Sequence, residues 1–172
     1  MSIQINRVTN ANVYINGTNH LGRVQEMELP VVKQKMAEHK ALGMVGTVEF
    51  FAGLEKMEAK LTWNSFYADA MVAAADPTKT VQLQVRSSLE TYDSTGRTAQ
   101  VPVVVFLTAQ YKDFPLGNFK QHDNVELVSM LSVTAFRLEI DGQSILEIDV
   151  LANVYKVNGT DVLTQYRANI GG

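Results

Sequence analysis

Alternating apolar and polar residues recur along the chain and predict amphipathic β-strands. Within residues 54–63, every second residue from Met57 to Trp63 is apolar, and the residues between them are polar. Residues 81–86 repeat the pattern, with apolar residues at 81, 83 and 85 alternating with Gln82, Gln84 and Arg86. Successive side chains of a strand point to opposite faces, so both segments are predicted to be strands with one buried face. Residues 101–107 are apolar on both faces, and residues 125–140 predict one long strand or a bent pair.

Three short turn signals join predicted strands. They are Asn16-Gly17, Asp141-Gly142 and Asn158-Gly159. Such pairs favour two-residue hairpins, because glycine adopts the positive φ that these turns need and asparagine or aspartate tolerates it. The pattern therefore predicts antiparallel β structure.

One helix is predicted over residues 65–75. Asn64 or Ser65 would cap its N-terminus, Asp69 would favour the positive end of the helix dipole, and Pro77 would prevent its continuation. A last short helix is predicted within residues 160–170.

The segment 31–46 fits no strand or helix pattern and is predicted to be a long connection. Three lysines and His39 outnumber its single acid, Glu38. It also carries apolar residues that a solvated loop would leave exposed. Two interpretations stay open: a solvated basic loop, or an arm that docks on another molecule.

The hairpin LEIDGQSILEID, residues 138–149, places three carboxylates on one side. Glu139, Glu147 and Asp149 share a face because each strand alternates. Like charges that are directly opposed on adjacent strands cost roughly 0.2–1 kcal/mol. This face is therefore predicted to need water or a basic partner.

Composition excludes several classes of protein. The chain has 172 residues, 46% of them apolar, which is enough for one domain with a core. Its net charge of −3 argues against a protein whose main task is to grip nucleic acid. It has no cysteine for disulfides or thiolate sites. We expect no secretory signal peptide, no membrane span and synthesis in the cytoplasm.

The residues that could support catalysis are few and scattered. His20, His39 and His122 lie in separate turn or loop contexts and are each predicted to be ordinary surface histidines. No phosphate-binding loop, nucleophile elbow or dinucleotide fingerprint occurs. We therefore expect no catalytic residues, no metal site, no cofactor and no enzymatic activity.

Several runs of residues resemble one known family. They are NANVYINGTNHLGRVQEMELPVVKQK, EHKALGM, LEKMEAKLTWN, VPVVVFL and FRLEIDGQSILEIDVLANVYKVNG. Together they closely resemble the major tail tube protein of contractile-tailed bacteriophages and R-type pyocins. The resemblance runs from about Thr9 to the C-terminus, and residues 66–100 match more loosely. Its most specific parts are the first Asn-Gly hairpin followed by Leu-Pro, the Leu-Glu-x-Asp-Gly hairpin and the final Val-Asn-Gly.

The resemblance implies an antiparallel β-sandwich or partly rolled barrel with one α-helix, which shares strands in a six-membered ring. Rings would stack into the inner tube of a virion tail, as a conduit for DNA or a membrane-piercing tube in a bacteriocin. Implied partners are further copies, the tail sheath, baseplate hub, tape-measure and tail terminator proteins. DNA would pass non-specifically, without stable membrane association.

Given this resemblance, three sets of residues receive predicted roles. The inter-ring loop, within residues 31–46, would use Val31, Val32, Lys33, Lys35, Met36, Lys40, Leu42 and Met44. The lumen would be lined by Gln82, Gln84, Arg86 and Thr108. The sheath would face Glu139, Glu147 and Asp149, although an inward orientation of these acids is also considered.

Two alternatives remain. The tube protein of type VI secretion also forms six-membered rings, but the Leu-Glu-x-Asp-Gly and Val-Asn-Gly sequences favour the phage type. A monomeric lipocalin-like barrel would instead carry a small ligand in its own cavity.

Overall fold

The computed structural model describes residues 3–171, which form twelve strands and two helices. The strands are β1 (Ile5–Ile15), β2 (Thr18–Asn19), β3 (Val24–Glu28), β4 (Gln34–His39), β5 (Val48–Leu54), β6 (Met57–Trp63), β7 (Val81–Asp93), β8 (Gly96–Tyr111), β9 (Leu127–Ile140), β10 (Gln143–Asp149), β11 (Val154–Val157) and β12 (Thr160–Asp161). The helices are α1 (Ala68–Ala75) and α2 (Thr164–Ile170).

Ten of these strands belong to one antiparallel sheet. The order along its main path is β12-β11-β10-β9-β8-β7-β1-β2. Residues 127–133 of β9 pair with β6, and residues 135–140 of the same strand pair with β10. β6 in turn pairs with β3, whereas β4 and β5 form a separate two-stranded sheet. The predicted mainly β, antiparallel fold is confirmed.

One face of the large sheet packs into a single apolar core. On β7 the buried residues are those at 81, 83 and 85, as the alternation predicts. On β9 the inward-facing residues change from Leu131 and Val133 to Phe136 and Leu138, where the pairing with β8 is irregular. This irregularity keeps the same face of a long strand directed at the core.

The sheet is partly rolled. β1 and β3 lie at opposite ends of the path β3-β6-β9-β8-β7-β1, yet both line a cavity of about 380 Å³. The sheet must therefore curl to bring them together. Helix α1 packs on the same core and buries Ala70. The other face of β7, β8, β9 and β10 lies on the outside of the roll.

The three predicted turns have the expected backbone. Asn16-Gly17 has φ angles of 48° and 83°, Asp141-Gly142 of 52° and 75°, and Asn158-Gly159 of 49° and 78°. Two successive positive φ angles are the signature of the type I′ turn. Local chemistry alone therefore located these hairpins correctly.

Helix α1 begins later than predicted, at Ala68 rather than Ser65. Its N-cap residue is Tyr67, which makes no side-chain capping hydrogen bond. The predicted cap Asn64 is engaged elsewhere: its Nδ2 donates to the Gly22 carbonyl at 3.0 Å and its Oδ1 accepts from the Tyr67 hydroxyl at 2.6 Å. The predicted short helix in the tail is α2.

The sequence pattern predicted a long connection without a strand or helix over residues 31–46, but the structure has a strand there. The central part of this segment forms β4, which pairs with β5 from Gln34 opposite Leu54 to His39 opposite Val48. The Glu55 N–H closes the base by donating to the Lys33 carbonyl at 2.9 Å. We call this hairpin, residues 34–54, the arm. We call residues 40–47, which join its two strands, the arm tip.

Candidate assembly surfaces

The four residues predicted to line a lumen lie together on the outside of the roll. Gln82, Gln84 and Arg86 alternate with the buried residues of β7, and Thr108 on β8 is directly opposite Gln82. The Thr108 Oγ1 donates a hydrogen bond to the Gln82 Oε1 at 3.0 Å. The surface they form offers amides, a hydroxyl and one guanidinium.

The three acidic residues predicted to face a sheath lie on the same face. Strand register places Glu139 opposite Val104, which is opposite Arg86. Further along, Asp149 is opposite Ala135, which is opposite Thr108. Both predicted sets therefore share one side of one sheet, and their predicted opposite orientations cannot both hold. We call this side the polar face. It comprises Gln82, Gln84, Arg86, Phe106, Thr108, Arg137, Glu139, Glu147, Asp149 and Lys156.

Basic residues of the chain itself compensate two of the three acids. Arg137 is directly opposite Glu147, and its Nε lies 2.9 Å from the Glu139 Oε1. This Nε–H has no hydrogen-bond partner among residues 3–171, so charge rather than a hydrogen bond holds the pair. The Lys156 Nζ lies 3.5 Å from the Glu147 Oε2. The acidic face therefore contains its own basic partners.

Aromatic rings shield the two guanidiniums of the polar face. The Arg137 Cζ lies 4.5 Å from the centre of the Phe106 ring, and the Arg86 Cζ lies 5.4 Å from that of Tyr14. A cation over the face of an aromatic ring is stabilised by the ring's quadrupole. Both cations are thus held against the sheet.

Sequence reasoning identified Arg86 but missed the other two basic residues of this face, Arg137 and Lys156. Arg137 lies two positions before Glu139 on one strand, so simple alternation would have placed it on the acidic side. Lys156 lies opposite Glu147 through the β10–β11 register, which the sequence did not reveal. The first signal was local, whereas the second depends on strand pairing.

The arm is a second candidate surface. Unlike most charged side chains of the polar face, those of the arm have no ion-pair partners among residues 3–171. Val31 and the apolar arm residues Met36, Val48, Phe50 and Phe51 are exposed, and the side chains of Leu42 and Val45 at the tip are fully exposed. Glu38 and Glu49 are directly opposite each other. Val32 differs, because it packs against the core. Of the predicted inter-ring residues, the described structure gives Lys33, Lys35 and Lys40 no ion pair within 4.0 Å.

An apolar groove of about 670 Å³ lies at the base of the arm. Its walls come from the β5–β6 connection, the middle of β9, the turn after β10, β11 and the start of α2. Leu151 and Tyr166 line it and are exposed. Glu55 and Asp149 also line it, and neither has an ion-pair partner within residues 3–171.

The histidines do not form a site, and one of them corrects a prediction. His20 is buried, not on the surface, and packs edge-on against Trp63 with ring centroids 5.2 Å apart. Burial lowers the pKa of this imidazole and so favours its neutral form. Among residues 3–171, no three His, Cys, Asp or Glu side chains are grouped to hold a metal ion. In the same residues, neither helix has the length and apolar character that a membrane crossing needs.

Comparison with known proteins decides the family. Residues 5–171 match the family described as phage tail tube protein FII. The chain belongs to this family. It is 31% identical to the tail tube protein of Escherichia phage P2 over 164 residues, which covers 93% of this chain and 94% of the relative. It is 25% identical to the major tail tube protein of Serratia phage KSP20 over 152 residues, covering 87% and 86% of the two chains.

Solved structures agree on the fold. A chain in the sheath-tube complex of an extracellular contractile injection system, PVC, superposes with a TM-score of 0.56 at 8% identity. The match covers 75% of this chain and 87% of that chain. A chain in the PVC sheath/tube terminator structure gives the same TM-score and identity, with 75% and 92% covered. At this identity the likeness shows a common fold alone.

Membership in the tail tube family confirms the resemblance that the sequence carried. The chain is a tail tube protein, a structural component of a phage tail. The family is one of structural proteins and is not known for enzymatic activity. The interpretation as a monomeric ligand-binding barrel is set aside.

Proposed function

We propose that six copies of this chain close into a ring and that the rings stack into the inner tube of a contractile tail. DNA would pass through the bore of that tube during delivery. The observation that carries this proposal is the open sheet: one charged, solvent-facing side is bounded by strand edges that have no neighbouring strand among residues 3–171. A ring of such sheets would supply the missing neighbours.

The free edges of the sheet support ring closure. β1 pairs with β2 at Tyr14 and Ile15, so within the described residues its first eight positions have strand neighbours on the β7 side only. Ile5 and Val8 are exposed along this edge, and Val157 and Val162 are exposed near the opposite edge. Unpaired edges with apolar side chains are templates for another strand. Pairing between copies would protect both edges.

The width of a bore also requires several copies. Barrels of about eight strands are filled by side chains, and water-filled channels are found at roughly 16–18 strands and above. A single copy contributes too few strands to enclose an aqueous channel. Six copies that pool their sheets would exceed this limit.

The polar face would line the bore. When sheets join edge to edge into a closed wall, one face must point inward and the other outward. The core, β6, β3 and helix α1 all lie on the side opposite the polar face, and this bulk can only fit outside an empty channel. We therefore assign Glu139, Glu147 and Asp149 to the lumen together with Gln82, Gln84, Arg86 and Thr108, and no longer to the sheath-facing surface.

The chemistry of the polar face suits a polyanion that must slide. Arg137 and Lys156 are paired with carboxylates, and Arg86 and Arg137 are held over aromatic rings. Phosphate binding draws on free Lys and Arg side chains. A bore in which two of three such cations are neutralised by carboxylates would bind passing DNA weakly and without sequence preference.

The arm would join successive rings. Its apolar residues and its unpaired lysines project from the body of the subunit, as expected of a segment that becomes buried on assembly. The sheath and the tail terminator would be further partners, in line with the PVC assemblies whose chains share the fold. Baseplate hub and tape-measure proteins complete the proposed set, and assembly would take place in the host cytoplasm.

Electron microscopy combined with cysteine labelling tests the proposal. We expect the purified protein to form six-fold rings and stacked tubes with a central bore. In tubes of the Gln84→Cys variant, a maleimide carried on a bulky protein should react at least tenfold more slowly than with free subunits. Val72→Cys, on helix α1 at the opposite side of the sheet, should remain reactive in tubes.

Two results would contradict the proposal. Monomers at every concentration, with or without a lysate that supplies the other tail proteins, would argue against the ring. Equal reactivity of Gln84→Cys in tubes and in free subunits would leave the tube intact but place the polar face outside the bore.

A further inference from the structure

The groove at the base of the arm is an apolar surface that residues 3–171 of one copy leave open. Val133, Ile148 and Tyr155 form part of its floor, and Leu151 and Tyr166 stand at its rim. Its volume of about 670 Å³ can hold several aliphatic side chains. Leu151 is 83% exposed, so the groove exposes apolar surface to water unless another molecule covers it.

The arm tip is the most exposed apolar segment of the described chain. Leu42 and Val45 are as accessible as in an extended peptide, with relative exposures of 106% and 108%, and Met44 lies between them at 41%. Each copy thus carries both an uncovered apolar tip and an uncovered apolar groove.

A copy cannot cover its own groove with its own tip. The groove includes the base of the arm, Phe51 to Leu54, whereas the tip lies beyond the far ends of both strands. Along β5, Phe51 is the groove residue nearest the tip and lies roughly 13 Å from residue 47, and Leu54 at the base lies roughly 23 Å from it, at about 3.3 Å per residue. Contact between tip and groove therefore requires two copies.

Unpaired charges on the two surfaces are of opposite sign. Lys40 at the start of the tip has no carboxylate within 4.0 Å in the described structure, and Glu55 at the groove has no basic partner there. Lys56, the basic residue of the groove, already pairs with Glu58 at 3.1 Å. Bringing a tip to a groove would give Lys40 an acidic neighbour.

We propose that the arm tip of one copy, through Leu42, Met44 and Val45, occupies the groove of a second copy in the adjacent ring. The inference rests on the proposed function, because it assigns a landing site to the arm. Tip and groove are different surfaces, so the contact is heterologous and repeats from copy to copy without closing. Six such lines of copies, side by side, would run along the tube and hold each ring to the next.

The absence of natural cysteine makes a cross-linking test clean. The test variant carries Leu42→Cys and Leu151→Cys, both at exposed positions, and assembled tubes are treated with a short bismaleimide. We expect a ladder of dimers, trimers and longer chains on denaturing gels. Each single-cysteine variant should stay monomeric. The matched control joins Leu42→Cys to Val72→Cys, which is 73% exposed on helix α1 but lies outside the groove, and it should give no ladder.

A second measurement does not depend on cross-linking geometry. Leu151→Asp should raise the protein concentration needed for tube formation at least tenfold, whereas Val72→Asp should change it less than twofold. Circular dichroism should show both variants folded, because both side chains face solvent.

The outcomes separate this inference from the proposed function. Normal tubes without a ladder, or with an equal ladder in the Val72→Cys control, would overturn the landing site and leave the tube standing. Dimers from Leu42→Cys alone would mean that tips meet each other, which also overturns it. Failure of the unmodified chain to form tubes in any lysate would refute the proposed function and this inference together.

Discussion

Two β-hairpins of this protein are each joined by six opposed residue pairs but have opposite surroundings. In the β9–β10 hairpin, Ile148 is buried in the core, and Glu147 faces Arg137 and Lys156. In the arm, Phe50 and Phe51 are exposed, and Glu38 lies opposite Glu49, with no ion pair to either carboxylate within 4.0 Å among residues 3–171. In the first hairpin, most apolar side chains are buried or half-buried, and most charged side chains are paired within one subunit. In the arm, most apolar side chains are exposed, and no charged side chain has an ion pair among residues 3–171.

This difference shows which parts of the chain are stabilised within one subunit and which parts are stabilised only by assembly. The β9–β10 hairpin contributes to the free energy of folding of the single chain. The arm costs conformational entropy to order and returns almost no buried area in the isolated copy. A segment of that kind is maintained by what it gains in an assembly. Changes in the two hairpins should therefore affect different measurements.

Removing the arm should have the largest effect, and the effect should be on assembly alone. We expect replacement of residues 34–54 by a short glycine-serine linker to abolish tube formation, because the proposed inter-ring contact is lost. The melting temperature of the subunit should change by less than about 3 °C, since Leu54 at the base is the only arm residue among those described that packs against the core. Negative-stain images and thermal melts measure the two quantities.

If the variant without the arm still forms long tubes, the arm is not required for assembly, and the proposed contrast between the two hairpins is wrong. As a matched control, shortening the β7–β8 turn near Ser94 also alters an exposed loop and should leave tube formation intact.

A pair of alanine substitutions should separate the hairpins next. Ile148→Ala removes a fully buried side chain and should lower the free energy of unfolding by roughly 2–5 kcal/mol. Phe50→Ala removes a larger side chain from the arm but should change it by less than about 0.5 kcal/mol. Urea denaturation of the subunit measures both. Comparable losses in the two variants would mean that the arm packs on its own subunit in solution.

How far the sequence predicts these features depends on the range of the interactions. Asn16-Gly17 and Asp141-Gly142 located hairpins correctly because a turn is set by two residues. The arm was missed because the eight residues of its tip carry no such two-residue signal, and β5 alternates poorly. The common face of Gln84 and Glu147 was missed because it depends on register across four strands. The tube was predicted from the resemblance to a known family, because no local sequence pattern indicates it.

Removing the central cation of the polar face should have a smaller effect. Arg137→Met leaves Glu139 without its cation and removes one of the two cations beside Glu147, which keeps Lys156, while the new side chain would still contact the Phe106 ring. Partial exposure screens these charges, so we expect a loss of about 1 kcal/mol in the free energy of unfolding. Lys35→Met on the arm is the matched control and should cost nothing measurable. A loss that persists unchanged in 1 M salt would point to packing rather than charge.

The smallest effect should come from giving the arm the charge pair that the other hairpin already has. Glu38 and Glu49 are directly opposite, and such like charges cost roughly 0.2–1 kcal/mol. Glu49→Lys would convert the repulsion into attraction and stabilise the isolated hairpin. Amide hydrogen exchange in peptides covering residues 34–54 should then slow by about 1.4-fold to fivefold, the same free-energy range expressed as a ratio. Glu49→Gln, which removes the repulsion without adding a cation, should give an intermediate value. Exchange that is unchanged in both variants would mean that the two carboxylates do not oppose each other in solution, and that the arm is not strained in the way its register implies.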